Sequence, residues 1–579
     1  MSRVKSSIGL FSICLAVVGS SAAVAPEGAF ALDWIVDHPG DLPDDDIGDG
    51  RCEAIPGQVS CTLRAALDGA NFGTNTPDNV TFDTSLSGTV FTPATPLTVH
   101  GDTSITGTGT SGPGAIVIDG GGATRVFDID DSDDGVTISD LVIEDGFATG
   151  DSGGGAAIST GADLSLDNVV IQGSAVSGLT APAAGAAVNS PNQFRTLTVT
   201  GSTITGNSIT TADGQTASGA GLAAAGNVNL TNSTVSDNHI LDGGTTGATG
   251  AQGGGIWVNQ ALTIQGSTVS GNSVEGTDGH GGGAVEGPNA FLFPRSIVNS
   301  TISGNSAPSG GGGLELSSDI PITAVTFADN TGDALGGADL TVPAAVVATV
   351  KNSILGSAGA CRATGGGAIV SAAPGGNIDS GTTCGFGLVP GNQTDTDPLL
   401  APLALNAPGS TMTHAIALGS PALDAATVDC AGLTADQRGF PRPQGGPRCD
   451  VGAYEAQHHQ ITVSRTGTGL GGVTAAGIVC GPDCTQSYVE DSTIVLTAVE
   501  SAGSSFDSWS GCDSVAGNEC TVNLTSDRLI SARFTLDPTP PVTTPPATNV
   551  PLAPPKAKKK CRKGTKRVKG KCKRVKRPS

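Results

Sequence analysis

Short apolar runs with alternating polar positions recur through the middle of the chain. Leu197 and Val199, Val228 and Leu230, and Leu262 and Ile264 each flank one polar residue. Alternation with a period of two marks strands that bury one face. Each run is followed by a near-identical heptapeptide: Gly-Ser-Thr-Ile-Thr-Gly-Asn at 201–207, Asn-Ser-Thr-Val-Ser-Asp-Asn at 232–238, Gly-Ser-Thr-Val-Ser-Gly-Asn at 266–272 and Asn-Ser-Thr-Ile-Ser-Gly-Asn at 299–305. Each run is also preceded by a glycine cluster feeding a second apolar piece, as in Gly-Gly-Gly-Ile-Trp-Val at 253–258. Aligning the heptapeptides gives equivalent centres at Ile143, Ile171, Ile204, Val235, Val269, Ile302, Phe327 and Ile354, separated by 28, 33, 31, 34, 33, 25 and 27 residues. A repeat of this length predicts a solenoid whose coils pair strand on strand, about 4.8 Å apart. The variable stretch before each glycine cluster predicts loops bulging outward.

The strand-ending Asn207, Asn238, Asn272, Asn305 and Asn330 are expected at sharp corners. Asparagine tolerates the left-handed backbone a corner needs, and stacked carboxamides can hydrogen-bond along the rod. These are corner residues in this reading, not ligands.

Composition narrows the class. Glycine supplies 86 of 579 residues and aromatics only 3%, which disfavours long helices and an aromatic-centred core. No strict Gly-X-Y period supports collagen. Charge is segregated. Of 29 cationic residues 14 lie from Lys556 onward with no acidic residue among them, leaving 15 against all 53 acidic residues before it, a net of -38. The body should repel polyanions, while the tail should seek an anionic surface or polymer. Arg3 and Lys5 before an apolar run to Val18, with small-residue sites at Ala23 and Ala25 and at Ala29 and Ala31, predict an export signal over 1–31. No later segment holds 18 continuous apolar residues.

The repeats, with Ile-Val-Ile-Asp-Gly-Gly-Gly at 116–122 and Val-Thr-Ile-Ser-Asp-Leu-Val-Ile at 136–143, resemble bacterial right-handed parallel β-helix proteins of the pectate-lyase-like superfold. Cys61-Thr-Leu-Arg-Ala-Ala at 61–66 is similar to the Cys-Ser-Leu-Arg-Glu-Ala motif at the start of such proteins, with Ala65 in place of Glu. Its amphipathic helix, with Leu63, Ala66, Leu67 and Ala70 on one face, is suited to plugging the first coil of a region spanning 32–96. Thr-Asp-Pro-Leu-Leu at 396–400, Gly-Ser-Pro-Ala-Leu-Asp at 419–424 and Asp-Gln-Arg-Gly-Phe-Pro-Arg-Pro at 436–443 resemble the choice-of-anchor Q domain. That resemblance implies a C-terminal cap over 395–457, closing a helix over 97–394, with no catalytic residue. Residues 458–536 look like the small bacterial β-repeat domain related to internalin B-type repeats, implying a spacer or accessory binding module. His458 and His459 are expected as linker residues before it. Residues 537–555 read as a Pro/Thr-rich extended linker, and 556–579 as a disordered basic tail.

After Cys14, twelve cysteines fall into sequential neighbours: Cys52 and Cys61, Cys361 and Cys384, Cys430 and Cys449, Cys480 and Cys484, Cys512 and Cys520, Cys561 and Cys572. Export favours disulfides, although spacing does not fix their pairing. A zinc site from Cys480, Cys484, Cys512 and Cys520 is the competing arrangement. Asp130, Ser132, Asp134 and Gly135 match the first half of a calcium loop, but position twelve is Leu141, without a bidentate carboxylate. Asp130 and Asp134 are thus the calcium candidates, against a solvated turn; no other cofactor is indicated. Asp44, Asp46 and Asp49 form a second acidic cluster. Asp133, Asp134 and the Gly-His-Gly at 279–281 are similar to short polygalacturonase strings, but lie several coils apart. Asp151, Asp213, Asp242 and Asp278, all in the variable loops, should line one side of the rod.

The resulting expectation is a secreted, envelope-associated β-helix protein, structural or adhesive. Lys558, Lys559, Lys560, Arg562, Lys563, Lys566 and Arg567 would bind an anionic envelope polymer, and the helix a glycan or surface protein. Nucleic acid is disfavoured. A carbohydrate-active enzyme with a groove on the helix is the alternative.

Overall fold

The computed structural model describes residues 32–539 and 561–574, apart from 48, 59, 73–76, 131–134, 151–152, 179–180, 213–214, 243–249, 277–278, 288–293, 334–336, 344, 428–429, 446–447, 482–483 and 570. Three long, wholly parallel sheets stack as a β-helix. The first sheet has twelve strands, from Asp33–Val36 to Ala368–Ser371; the second has twelve, from Val90–Phe91 to Gln393–Thr394; the third has ten, from Leu97–Val99 to Cys361–Ala363. The solenoid therefore begins upstream of residue 97, because Asp33–Val36 pairs with Asp78–Phe82 as the edge of the first sheet.

Register explains the repeat. Phe91, Ile118, Ile143, Ile171, Ile204, Val235, Val269, Ile302, Phe327 and Leu355 form one inward ladder on the second sheet. All ten are buried in one continuous core. The expected centre at Ile354 is displaced by one residue: Phe327 pairs with Leu355, and Ile354 turns outward beneath a later segment.

The heptapeptide is one short strand between two corners. At the first corner, the hydroxyls of Ser202, Ser233, Ser267 and Ser300 each accept an N–H from the coil before, at 2.9–3.2 Å. At the second, Asn207, Asn238, Asn272, Asn305 and Asn330 form a file in which each Nδ2 donates to the next Oδ1 at 2.9–3.0 Å. The left-handed residue is not the asparagine. It is the residue before it, with φ between 54° and 66° at Gly206, Asp237, Gly271, Gly304 and Asp329. The turn is made one position earlier, leaving the carboxamide to point along the core. Asp339 terminates the file, accepting from Asn330 Nδ2 at 2.9 Å.

Beside the main core, a five-stranded parallel sheet from Phe147–Thr149 to Ser273–Val274 packs Val176, Ile209, Ile240 and Val274 on alanines such as Ala186 and Ala220. In chain order, the strands of this sheet lead into the variable stretches. Asp151, Asp213 and Asp278 lie outside the described residues, as does the side chain of Asp242.

Both ends of the core are closed. The helix Leu63–Phe72 buries Leu63, Ala66, Leu67 and Ala70 against the first coil. Thr62 Oγ1 accepts the Ala65 N–H at 3.1 Å, and Arg64 grips Asp41 and the carbonyls of Thr95 and Pro96. Gly69 is required because a Cβ would stand 2.6 Å from the Trp34 indole. At the other end Cys384 and Phe386 enter the core.

Residues 395–457 do not simply sit on that far end. They run back along the outer face of the second sheet as a strap. Gln437 bonds Thr268 and Thr301, Thr411 bonds the Gly266 carbonyl, His414 meets Ser303 at 2.8 Å, and Thr427 bonds Asn352. Threonines exposed in earlier coils suit this role, since a β-branched hydroxyl on a flat strand offers both a methyl and a hydrogen bond.

Candidate functional site

The outer face of the third sheet carries partly exposed Trp257, Glu315 and Arg362. Its glycine clusters make tight turns, and the strand residue after them alternates in, out, in. Ile256 and Val258 point inward, so Trp257 points outward; Leu314 and Leu316 do the same for Glu315. The register aligns Asn189, Ala223, Trp257, Val285, Glu315, Thr341 and Arg362 in one outward column. A second column runs beside it along the turns, where Ser218, Gln252 and His280 bridge in sequence.

The two columns meet around Trp257. Its Nε1–H donates to Gln252 Oε1 at 3.1 Å, which fixes the half-buried indole. His280 Nδ1 lies 3.3 Å from Glu315 Oε2, with the side chains 34% and 21% exposed. Gly310 permits this pair, because a Cβ there would lie 2.3 Å from Glu315 Oε2 and 2.8 Å from His280 Nδ1. Trp257 and Glu315 are two rungs apart, about 9.6 Å. Arg362 and Asp333 form an ion pair farther along, as do Arg125 and Asp128 at 2.8 Å toward the other end.

His280 thus belongs to a carboxylate–imidazole pair with Glu315; Asp133 and Asp134, whose string and that of His280 are similar to polygalacturonase motifs but were expected several coils apart, lie outside the described residues. Glu315 and Trp257 were missed. The signal was present: the middle residue of an apolar-x-apolar triplet after a glycine cluster must face out.

Glu286 is a different case. It occupies an inward position at the end of Ala284–Glu286, accepts a hydrogen bond from Ser318 Oγ, and is pushed up to about 7 by burial, against the opposing effects of that hydroxyl and of Arg295. Its place is within the wall of the solenoid, not on an open face.

Of the calcium candidates, Asp130 Oδ2 is held by His100 Nδ1 at 2.5 Å, and Asp134 is outside the described residues. Among the described residues no group of three or more His, Cys, Asp or Glu is arranged for a metal ion. Asp46 and Asp49 are exposed, whereas Asp44 is buried and Asp44 Oδ1 accepts the Glu53 N–H.

The strap's charged residues serve its own fold. Arg438 pairs with Asp436 at 2.8 Å and stacks 3.7 Å from the Tyr454 ring centre; Arg442 lies 3.7 Å from Glu455. Burial, reinforced by Asp450, pushes Glu455 up to about 7, outweighing Arg442 at that distance.

Disulfides join Cys52 to Cys61, Cys361 to Cys384, Cys430 to Cys449, Cys480 to Cys484, Cys512 to Cys520 and Cys561 to Cys572. The cysteines weighed as a zinc set are therefore bridged in pairs. Six bridges fit an oxidising extracytoplasmic compartment. Among the described residues no helix is long and apolar enough to cross a membrane.

The basic segment departs from the disordered expectation. Thr565–Val568 and Lys571–Arg574 form an antiparallel hairpin that Cys561–Cys572 ties together, a cross-link substituting for a core. Arg562, Lys563 and Lys566 are exposed, and Lys566 stands opposite Lys573. Arg567 opposes Cys572; Lys558, Lys559 and Lys560 lie outside the described residues.

Between strap and tail, nine strands form a four-stranded and a five-stranded sheet. Their core holds Ile461, Val463, Val473, Leu496, Val522, Ile530 and Phe534. His458 and His459 are not linker residues: they open the strand His458–Gly467, and His459 lies 3.5 Å from Glu490. Residues 461–538 match the divergent InlB B-repeat domain. This B-repeat follows the strap directly, and its Val489 packs against the strap's apolar cluster. No curated protein and no solved structure matches the chain.

Proposed function

We propose that the chain is an exported, envelope-associated binding protein: the basic C-terminal segment holds it to an anionic polymer, and the solenoid displays its outer faces. The observation that carries this reading is the charge segregation, with 14 cations gathered after residue 555 behind a body of net -38. The hairpin sharpens it. Lys566 directly opposite Lys573 is a repulsive cross-strand pair, and the bridge holds the two strands together despite it. An anionic polymer relieves that repulsion, so the hairpin is preorganised for such a partner. The B-repeat between strap and tail supports the reading as a spacer that keeps the solenoid clear of the surface.

Extraction of whole cells tests it. At about 1 M salt the Debye length falls to about 3 Å, so the intact protein should be released, and a variant lacking residues 556–579 should be found in the medium without salt. A truncated protein that stays cell-bound as well as the intact one would refute the anchoring.

A further inference from the structure

We infer that the Trp257, Gln252, His280 and Glu315 patch is a binding subsite for a neutral saccharide. The inference rests on the solenoid's role as a display surface and gives that role a location and a ligand class.

Four features converge on one spot of the third sheet. Trp257 supplies an aromatic surface, held in orientation by its hydrogen bond to Gln252; pyranose rings stack their C–H faces on such a surface because aromatic faces are apolar and electron-rich. Gln252 spends its carboxamide oxygen on that bond, and its Nε2 makes no hydrogen bond among the described residues, which leaves a donor beside the ring. Glu315 faces His280 with Oε2, which leaves Oε1 to accept from a hydroxyl. The stacked rungs place Trp257 and Glu315 about 9.6 Å apart, enough for one sugar ring to rest on the indole while a hydroxyl of that ring or the next reaches the carboxylate. Gly310, at φ 74°, keeps the ground beside the pair clear.

Charge selects the class. The cations nearest along this face, Arg362 and Arg125, are engaged by Asp333 and Asp128. A uronate or sulfated sugar would meet Glu315 on a strongly acidic body, with Arg362 and Arg125 already engaged by other carboxylates. Hydroxyl-rich uncharged rings meet no such penalty. Of the other tryptophans, Trp34 is buried under the first-coil helix and Trp509 lies in the B-repeat.

Calorimetric titration of the purified full chain with uncharged hexose and N-acetylhexosamine oligosaccharides, and with carboxylated ones for contrast, tests this. An uncharged oligosaccharide should bind, Trp257→Ala should weaken it at least tenfold, Glu315→Gln several-fold, and Trp509→Ala not at all. Trp257→Phe, which keeps a ring, should fall between wild type and alanine, and serves if the alanine variant misfolds. The inference is overturned if no uncharged oligosaccharide binds, if Trp257→Phe and Glu315→Gln leave binding unchanged, or if carboxylated oligosaccharides bind better. Because the titration is in solution, it succeeds or fails independently of tail-mediated retention on cells.

Discussion

Asn272 illustrates how one side chain holds three coils together. Its Nδ2 donates to Asn305 Oδ1 at 3.0 Å and to the Val235 carbonyl at 2.9 Å, while its Oδ1 accepts from Asn238 Nδ2 at 2.9 Å and from the Asn238 N–H at 3.1 Å. The residue is wholly buried. Replacement by alanine strands partners on both neighbouring coils, and each unsatisfied buried group costs about 1–3 kcal/mol. Asn272→Ala should therefore destabilise by about 3 kcal/mol in equilibrium denaturation. Thr203→Ala, on the half-exposed outer face of the same sheet, should change stability by less than about 0.5 kcal/mol.

At the scale of elements, the repeat was readable because each heptapeptide is a local object: a strand of three residues whose two corners are set within the motif. Positions of the ladders followed directly, with one slip at Ile354. The strap was not readable in the same way. Thr203 and Thr268 occupy equivalent places in almost identical strings, yet Thr203 is half exposed and Thr268 is wholly buried under Gln437 and Met412. That difference arises from a partner 169 residues away, and no periodicity reports such docking. The saccharide patch lay between these extremes. Trp257 and Glu315 could be assigned an outward direction from alternation, but bringing His280 to Glu315 required the turn register and the space at Gly310.

The last coil depends on a covalent tie. Cys361–Cys384 holds the segment carrying Phe386 over the core, and chain entropy for a separation of 23 residues gives about 3 kcal/mol. Cys480–Cys484 closes a separation of 4, which gives about 2 kcal/mol. Serine replacement of both Cys361 and Cys384 should lower stability more, and limited proteolysis followed by mass spectrometry should show new cleavage within 372–394. Intact fragments there would show that Phe386 packing suffices without the bridge.

Three buried carboxyls couple the stability of the whole molecule to pH. Glu286 in the solenoid wall and Glu455 in the strap are raised to about 7, and Asp339 at the end of the asparagine file to about 6, in each case chiefly by burial. All three lie above their ordinary values, so the folded state binds protons more tightly than the unfolded chain. Their contribution is complete below the ordinary carboxyl range and is lost as pH rises through about 6 to 7. The melting temperature should accordingly be higher at pH 5 than at pH 8. Glu286→Gln should flatten that dependence, and an unchanged slope would show that Glu286 does not titrate in this window.

The strap also decides where tension goes. Anything that tugs the chain through its C-terminal segment pulls on the B-repeat and then on a band fastened sideways to rungs between Gly266 and Asn352. Force then enters the stack at several levels at once, along directions that shear many bonds together, and the terminal turn is spared from being peeled away first.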